Sequence, residues 1–86
     1  MTRDRFQSEY LPLAEAFYQV AFYILEDAAE AEDAVQELFL KLWTNRDALI
    51  GIRNPKGYGM TVLRNLCLDR IRHSRKTETP ATLPEP

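Results

Sequence analysis

The sequence predicts an all-α fold, a compact bundle of three to four helices, on two observations. Apolar residues recur at the spacing of a helix face in three segments, 3–26, 31–43 and 55–75. Helix-start signals precede the second and third segments, Asp27 three residues before Glu30 and Asn54 directly before Pro55. A chain of 86 residues is enough for one domain, near the lower limit for folding around a single hydrophobic core.

The first segment, residues 3–26, is predicted to form two helices rather than one. Pro12 interrupts it, and a proline inside a helix removes one hydrogen bond and clashes with the preceding turn. We therefore expect a break near Tyr10–Leu11, between a short helix and a longer one with Pro12 in its first turn. The apolar stripe of the segment consists of Phe6, Tyr10, Leu13, Phe17, Ala21, Ile24 and Leu25.

The helix that contains the segment 31–43 is predicted to start after the N-cap Asp27 and to end at about Trp43 or Thr44. Its core-facing side comprises Val35, Leu38, Phe39 and Leu42. Its other side, which we call the acidic face, comprises Asp33, Gln36, Glu37 and Leu40. The acidic face is either simply solvated or a docking surface. An apolar residue ringed by polar groups, as Leu40 is here, is typical of surfaces that bind a helix and favours the second alternative.

Residues 47–54 are predicted to be a loop with apolar anchors, because Gly51 and the pair Asn54–Pro55 oppose regular structure. Asn54 then caps the last helix, residues 55–75, at its first residue Pro55. The apolar face of that helix consists of Tyr58, Val62, Leu63, Leu66, Cys67 and Ile71.

Two glycines near the start of the last helix, Gly57 and Gly59, indicate either a frayed first turn or the close approach of another backbone. Beyond this helix, residues 77–86 contain three prolines and no apolar periodicity. They are predicted to be a disordered tail or the start of an interdomain linker, which leaves residues 1–76 as the folded domain.

Charge is strongly segregated along the chain although its net charge is only −2. Residues 1–52 carry a net charge of −6, and residues 53–76 carry +6 with Asp69 as their only acid. The basic residues are either a solvated face or a contact for a polyanion. Asn65 and Tyr58 favour nucleic acid, because amide and aromatic groups among cations can meet bases.

The residues predict a binding protein rather than an enzyme. His73 lies in a basic run and Cys67 on the apolar side of a helix, so neither has the neighbours of a catalytic group. The single cysteine excludes an intramolecular disulfide and supplies no metal cluster, so we expect no metal, no cofactor and a reducing, cytoplasmic location. No apolar run approaches the roughly 18 residues of a membrane-spanning helix, so no membrane insertion is expected.

Two separated motifs resemble region 2 of bacterial sigma factors of the sigma-70 family, in particular the extracytoplasmic-function (ECF) group. The pattern Ala-Glu-Asp-x-x-Gln-Glu-x-Phe-x-x-x-Trp is matched by Ala31, Glu32, Asp33, Gln36, Glu37, Phe39 and Trp43. A later pattern, Arg-Asn followed by Asp and Arg, is matched by Arg64, Asn65, Asp69 and Arg72. The resemblance covers residues 4–76, and two motifs at family spacing make it specific.

The resemblance implies a different partner for each side of the domain. The acidic face (Asp33, Gln36, Glu37 and Leu40) would contact the clamp helices of the largest subunit of the RNA polymerase core. The loop and last helix of the family recognise and melt the promoter −10 element, holding bases of the non-template strand out of the stack. That role would fall here on Leu49, Ile50, Gly51, Ile52, Arg53, Asn54, Lys56, Arg64, Asn65 and Arg72. An anti-sigma factor would be a further partner.

The chain departs from the family pattern at Gly59, where relatives usually have a large residue, and at Leu63, where they usually have alanine. Because these positions are one helical turn apart, Leu63 is predicted to fill the space left at Gly59. The loop is also less polar than is usual, which leaves the recognised bases open. A whole ECF sigma factor adds a second helical domain, so this chain is expected to be one domain of a longer protein.

Two rival functions remain. One is a helical interaction module held by an anti-sigma factor, without DNA selectivity of its own. The other is a helix-turn-helix reader of duplex DNA, which is disfavoured because no short glycine-containing turn joins two helices of suitable length.

Overall fold

A computed structural model describes residues 1–78 of the chain, with side chains as far as His73. Within this range the fold is all-helical, which confirms the predicted all-α bundle. The α-helices are α1 (Arg3–Glu9), α2 (Ala14–Leu25), α3 (Ala28–Thr44) and α4 (Pro55–Glu78), with short 3-10 helices at Leu11–Leu13 and Arg46–Leu49. Helix α4 continues past the predicted domain end at residue 76, and residues 79–86 of the predicted tail lie outside the described residues.

The predicted break in the first segment is confirmed. Helix α1 is capped by Thr2, whose hydroxyl accepts a hydrogen bond from the amide of Arg5 at 3.2 Å. Pro12 lies in the 3-10 helix Leu11–Leu13, which leads directly into α2 at Ala14. The proline thus stands just before α2 and not in its first turn as predicted, and its missing N–H costs α2 no hydrogen bond.

Helices α2 and α3 form a hairpin joined by only Glu26 and Asp27. Glu26 ends α2 in the left-handed region, at φ 56°, and its amide donates to the carbonyl of Phe22 at 2.7 Å. The carboxylate of Asp27 accepts a hydrogen bond from the amide of Glu30 at 2.9 Å, so Asp27 caps α3 as predicted. Helix α3 ends at Thr44, also as predicted.

The core lies among α2, α3 and α4, and α1 packs over the end formed by the last turns of α3. The Phe6 ring of α1 meets Trp43 edge-on, with centroids 5.2 Å apart. Phe17 of α2 lies 5.9 Å from Phe39 of α3, centroid to centroid. The largest fully buried side chains are Tyr10, Phe17, Leu38, Leu49, Leu63 and Cys67. Five different parts of the chain therefore converge on one core.

Glycine is required at position 59 because of a contact that the sequence did not predict. A Cβ placed there would lie 2.5 Å from Cζ of Phe17, so the ring packs directly on the helix backbone. The space at Gly59 is filled by Phe17 and not by Leu63, and the close approach is made by a side chain rather than another backbone. At Gly57 a Cβ would meet the amide nitrogen of Asn54 at 2.7 Å, because that side chain folds back to cap α4.

The segment predicted as a loop is partly regular. Its first half is the 3-10 helix Arg46–Leu49, stabilised by the amide of Ala48 donating to the carbonyl of Asn45 at 2.9 Å. Of the three apolar residues predicted to anchor the loop, Leu49 is buried, Ile52 is half-buried and Ile50 is exposed. The irregular part is therefore shorter than expected, residues 50–54.

Candidate functional site

The acidic face of α3 is largely accessible. Asp33 and Gln36 are exposed, and Leu40 shows 66% of its surface to solvent. On the opposite side of the same helix Leu38 is fully buried, so the two faces separate as the periodicity predicts. An exposed leucine beside a carboxylate and an amide can bury apolar area against a partner while the polar groups select it.

Glu37, the fourth member of the acidic face, is not an open docking group. Its carboxylate accepts a hydrogen bond from Arg70 Nη2 at 3.0 Å, and Arg70 Nη1 donates to Glu30 at 2.8 Å. Partial burial acts to lower the pKa of Arg70, but the hydrogen bonds with Glu37 and Glu30 outweigh it and leave that pKa raised. Arg70 therefore ties α4 to α3 across two turns of the acidic helix.

A trough runs between α4 and the end of α3, and we call it the α4 trough. One wall is a line of α4 side chains at helical spacing: Tyr58, Val62, Asn65, Asp69 and Arg72. The other wall is formed by Lys41, Asn45 and Ala48. Two adjoining cavities of about 450 and 350 Å³ share Lys41 and Val62, which makes them one continuous surface. Predicted DNA contacts Asn65 and Arg72 thus lie together, with Lys41 facing them.

A second depression, the loop groove, has a volume of about 650 Å³. It is lined by Arg5, Glu9, Ile50, Gly51, Ile52, Arg53 and Pro55. Four of the predicted loop residues are therefore brought together, and they share the groove with two residues of α1 that the sequence did not indicate.

Other predicted DNA residues are placed differently. Leu49 lies beside the α4 trough, but only 1% of its surface is exposed, so we exclude it as a DNA contact. Asn54 Oδ1 accepts a hydrogen bond from the amide of Gly57 at 3.0 Å and serves as the N-cap of α4. Lys56 and Arg64 are exposed but line neither depression.

Besides Arg5 and Glu9 of the loop groove, the sequence pattern does not indicate Lys41 or Arg70 as site residues. Lys41 lies in the last turn of an acidic helix, where a cation is expected for its favourable interaction with the helix dipole alone. Arg70 belongs to the basic segment by sequence, and Glu30 and Glu37, two turns apart on α3, are spaced for a bridging cation. The sequence does not show which cation of α4 reaches them.

No group of three or more His, Cys, Asp or Glu residues within the described residues is arranged to hold a metal ion. Burial raises the pKa of the Cys67 thiol, and the nearby charge of Arg70 opposes that shift only in part. None of the helices in the described part of the chain combines the length and apolar composition that crossing a membrane requires.

Comparison with known proteins identifies the family. The model of sigma-70 region 2 matches residues 8–77. The ECF RNA polymerase sigma factor SigJ of Mycobacterium tuberculosis is 38% identical over 82 residues, which cover 92% of this chain and 25% of SigJ. SigL of the same species, also an ECF RNA polymerase sigma factor, is 33% identical over 63 residues, or 72% of this chain and 36% of SigL.

The chain therefore spans between a quarter and about a third of the length of these relatives. No solved structure matches it significantly. The matched range includes α2, α3, both candidate depressions apart from Arg5, and α4 almost to its end. The chain belongs to the sigma-70 region 2 family, and its relatives are ECF sigma factors.

Proposed function

We propose that this domain acts in bacterial transcription initiation, by docking on RNA polymerase and engaging promoter DNA. The acidic face of α3 docks on the clamp helices of the polymerase core. The α4 trough and the loop groove engage the non-template strand of the −10 element. On this proposal the domain works by binding alone, without catalysis, in the cytoplasm.

One observation carries the proposal: the exposed surfaces differ in charge. Asp33, Gln36 and Leu40 form an acidic surface with an apolar centre. Lys41 and Arg72 lie in the α4 trough, and Arg53 lies in the loop groove. A basic protein helix is attracted to the first surface, and a phosphate backbone is attracted to the second and repelled by the first.

Within the α4 trough each residue has a separate task. Lys41 and Arg72 neutralise phosphates, while the amide of Asn65 and the ring of Tyr58 meet bases that have left the stack. Stacking on an aromatic ring and hydrogen bonds to an exposed base edge offset the few kcal/mol needed to unstack the base. Promoter opening then follows from tighter binding of the single strand than of the duplex.

The DNA contact is tested by fluorescence anisotropy with labelled single-stranded oligonucleotides over a salt series. Arg72→Ala should weaken binding to every sequence and reduce the salt dependence by about one phosphate contact. Asn65→Ala should instead weaken binding to preferred sequences only. Arg3→Ala, which removes an exposed cation of α1, is the matched control and should change little. A preference of the wild type for duplex over single strands would overturn this assignment.

The polymerase contact is tested by pull-down of the core enzyme. The double substitution Asp33→Ala and Gln36→Ala should abolish capture while helicity, measured by circular dichroism, is unchanged. Asp4→Ala with Gln7→Ala removes the same two groups at the same spacing from α1 and should leave capture intact. Equal capture by both double variants would refute docking through the acidic face.

An anti-sigma factor is proposed as a further partner, and exposed aromatic groups on α2 favour it. The rings of Tyr18 and Phe22 stack with centroids 6.1 Å apart, while Phe22 is 45% and Tyr23 83% exposed. Such a patch lies apart from the α4 trough, so a partner covering α2 and the acidic face would compete with polymerase rather than with DNA.

A further inference from the structure

We propose that Arg5 and Glu9 of α1 complete the loop groove as a site for an unstacked base that carries an exocyclic amine. Such bases are adenine, cytosine and guanine, and thymine is discriminated against. This inference rests on the proposed function, because it assigns base selectivity to the strand that the domain is proposed to engage.

Helix α1 is fastened beside the loop by contacts at two points. The N-terminal amine of Met1 lies 3.4 Å from a carboxylate oxygen of Asp47, in the 3-10 helix that precedes the loop. The Phe6 ring packs against Trp43 at 5.2 Å. These contacts bring Arg5 and Glu9 to the wall of a groove whose other residues lie more than forty positions away in sequence.

The loop side of the groove suits the flat face and the edge of a base. Its volume of about 650 Å³ lies within the usual range for ligand sites, about 300–1,000 Å³. Ile50 is 53% exposed and provides apolar area. A Cβ at Gly51 would meet nothing within 4 Å, so there is open space over the backbone there. Among the described residues, the amide of Gly51 donates to no carbonyl, which leaves it available to a base edge.

The charges of the groove argue for a base and not only a phosphate. Arg5 and Arg53 attract the backbone of a strand, but Glu9 would repel it. An ionised carboxylate is an acceptor only, so Glu9 requires a hydrogen-bond donor from its ligand. Exocyclic amines of adenine, cytosine and guanine supply two N–H groups, whereas thymine presents one ring N–H between two carbonyl oxygens.

Arg5 is the positioning residue of this site. Its Nε donates to Glu9 Oε2 at 2.8 Å, which holds the carboxylate and neutralises part of its charge. The two terminal nitrogens of Arg5 make no hydrogen bond within the described residues and remain for a phosphate. The pair therefore combines a base-selective acceptor with a cation for the adjoining backbone.

The test measures anisotropy of short strands carrying one central base in an otherwise abasic backbone, with the full chain at low salt. Strands with adenine, cytosine or guanine should bind at least about fivefold more tightly than the thymine strand. N4,N4-dimethylcytosine, which has lost both amine hydrogens, should bind like thymine. Glu9→Gln, whose amide can donate to a carbonyl, should level or reverse the preference, and Glu9→Ala should erase it.

Asp4→Asn is the matched control, because it removes one carboxylate charge from the same helix outside the groove. It should retain the wild-type preference. Binding without base preference in the wild type, or a preference kept by both Glu9 variants, overturns the inference and leaves the proposed function standing. Failure of the wild type to bind any single strand, including strands that carry every base, overturns the proposed DNA contact itself.

Discussion

The two long helices are held in the fold by different forces. Helix α3 buries five side chains within 17 residues, so apolar packing along its length determines its position. Helix α4 is longer, yet among the described residues it contributes only Leu63 and Cys67 to the buried apolar set. Its other contacts include the Phe17 ring on Gly59, the Arg70 ion pairs, and the partly buried side chains Met60, Val62 and Leu66, which pack against the core. A helix with few fully buried side chains keeps more of its surface for a partner.

The largest loss of stability is expected from replacing Phe17 of α2, because its ring contacts both α3 and α4. Phe17→Ala removes the ring that packs on Phe39 of α3 and on Gly59 of α4, and it should lower the free energy of unfolding by about 3–5 kcal/mol. Urea denaturation followed by circular dichroism measures the loss. Tyr23→Ala, an 83% exposed aromatic of the same helix, should cost less than about 0.5 kcal/mol. Similar costs for the two variants would contradict the central position of Phe17.

Gly59→Leu tests the same contact from the side of α4. The added side chain must displace Phe17, and overpacking of this kind costs about 1–3 kcal/mol, which should exceed the gain in helix propensity of at most about 1 kcal/mol. In the Phe17→Ala background the cost should shrink, because the leucine enters the space that the ring leaves. Thermal or urea unfolding of the four proteins gives the coupling energy. A neutral or stabilising Gly59→Leu would show that the ring does not constrain the backbone.

Arg70→Met tests the polar link between the helices. The substitution should lower the free energy of unfolding by only about 1 kcal/mol. The hydrogen bonds that it removes are half-exposed and screened by solvent, and it also removes the buried Nε, which has no hydrogen-bond partner. Arg72→Met is the control two residues away, since Arg72 is 72% exposed and lies 3.9 Å from Asp69. Its stability effect should be near zero. In denaturation experiments, raising the salt concentration should narrow the difference in unfolding free energy between the two variants, because salt screens the ion pairs. Equal losses of stability at low salt would contradict the role of Arg70 as a link between the helices.

The smallest effect concerns the ionisation of α4's buried thiol. Because burial raises the pKa of Cys67, the folded state retains its proton at a pH where the unfolded state has lost it. The contribution of Cys67 to the free energy of unfolding is therefore fully present below the thiol pKa of the unfolded state, about 8.5. It is lost as the pH rises from there through the thiol pKa of the folded state. Burial likewise raises the pKa of Tyr10, which extends the fall to still higher pH.

Urea denaturation between neutral and alkaline pH measures this slope. Cys67→Ala should flatten its first part, whatever the substitution costs at neutral pH. Parallel curves for the variant and the wild type would contradict the assignment to Cys67.

Local features of the fold follow from sequence because their causes are local. Asp27 caps α3 and Asn54 caps α4 through hydrogen bonds that span three residues. Pro12 breaks the first segment because its ring fixes its own backbone. The separation of Leu38 from Leu40 follows from helical periodicity alone. The two motifs of the family could also be recognised directly, and with them the all-α bundle.

Tertiary structure alone determined which similar residues play different parts. Arg70 and Arg72 are both basic residues of α4, but only Arg70 points to the carboxylates of α3. Leu49 and Ile50 are adjacent apolar residues, yet Leu49 is buried in the core and Ile50 is exposed in the loop groove. Phe17 on Gly59, and Glu9 beside the loop, join residues more than forty positions apart. Caps and periodicity fix a residue within its own helix, whereas partners across the fold depend on how whole helices pack around one small core.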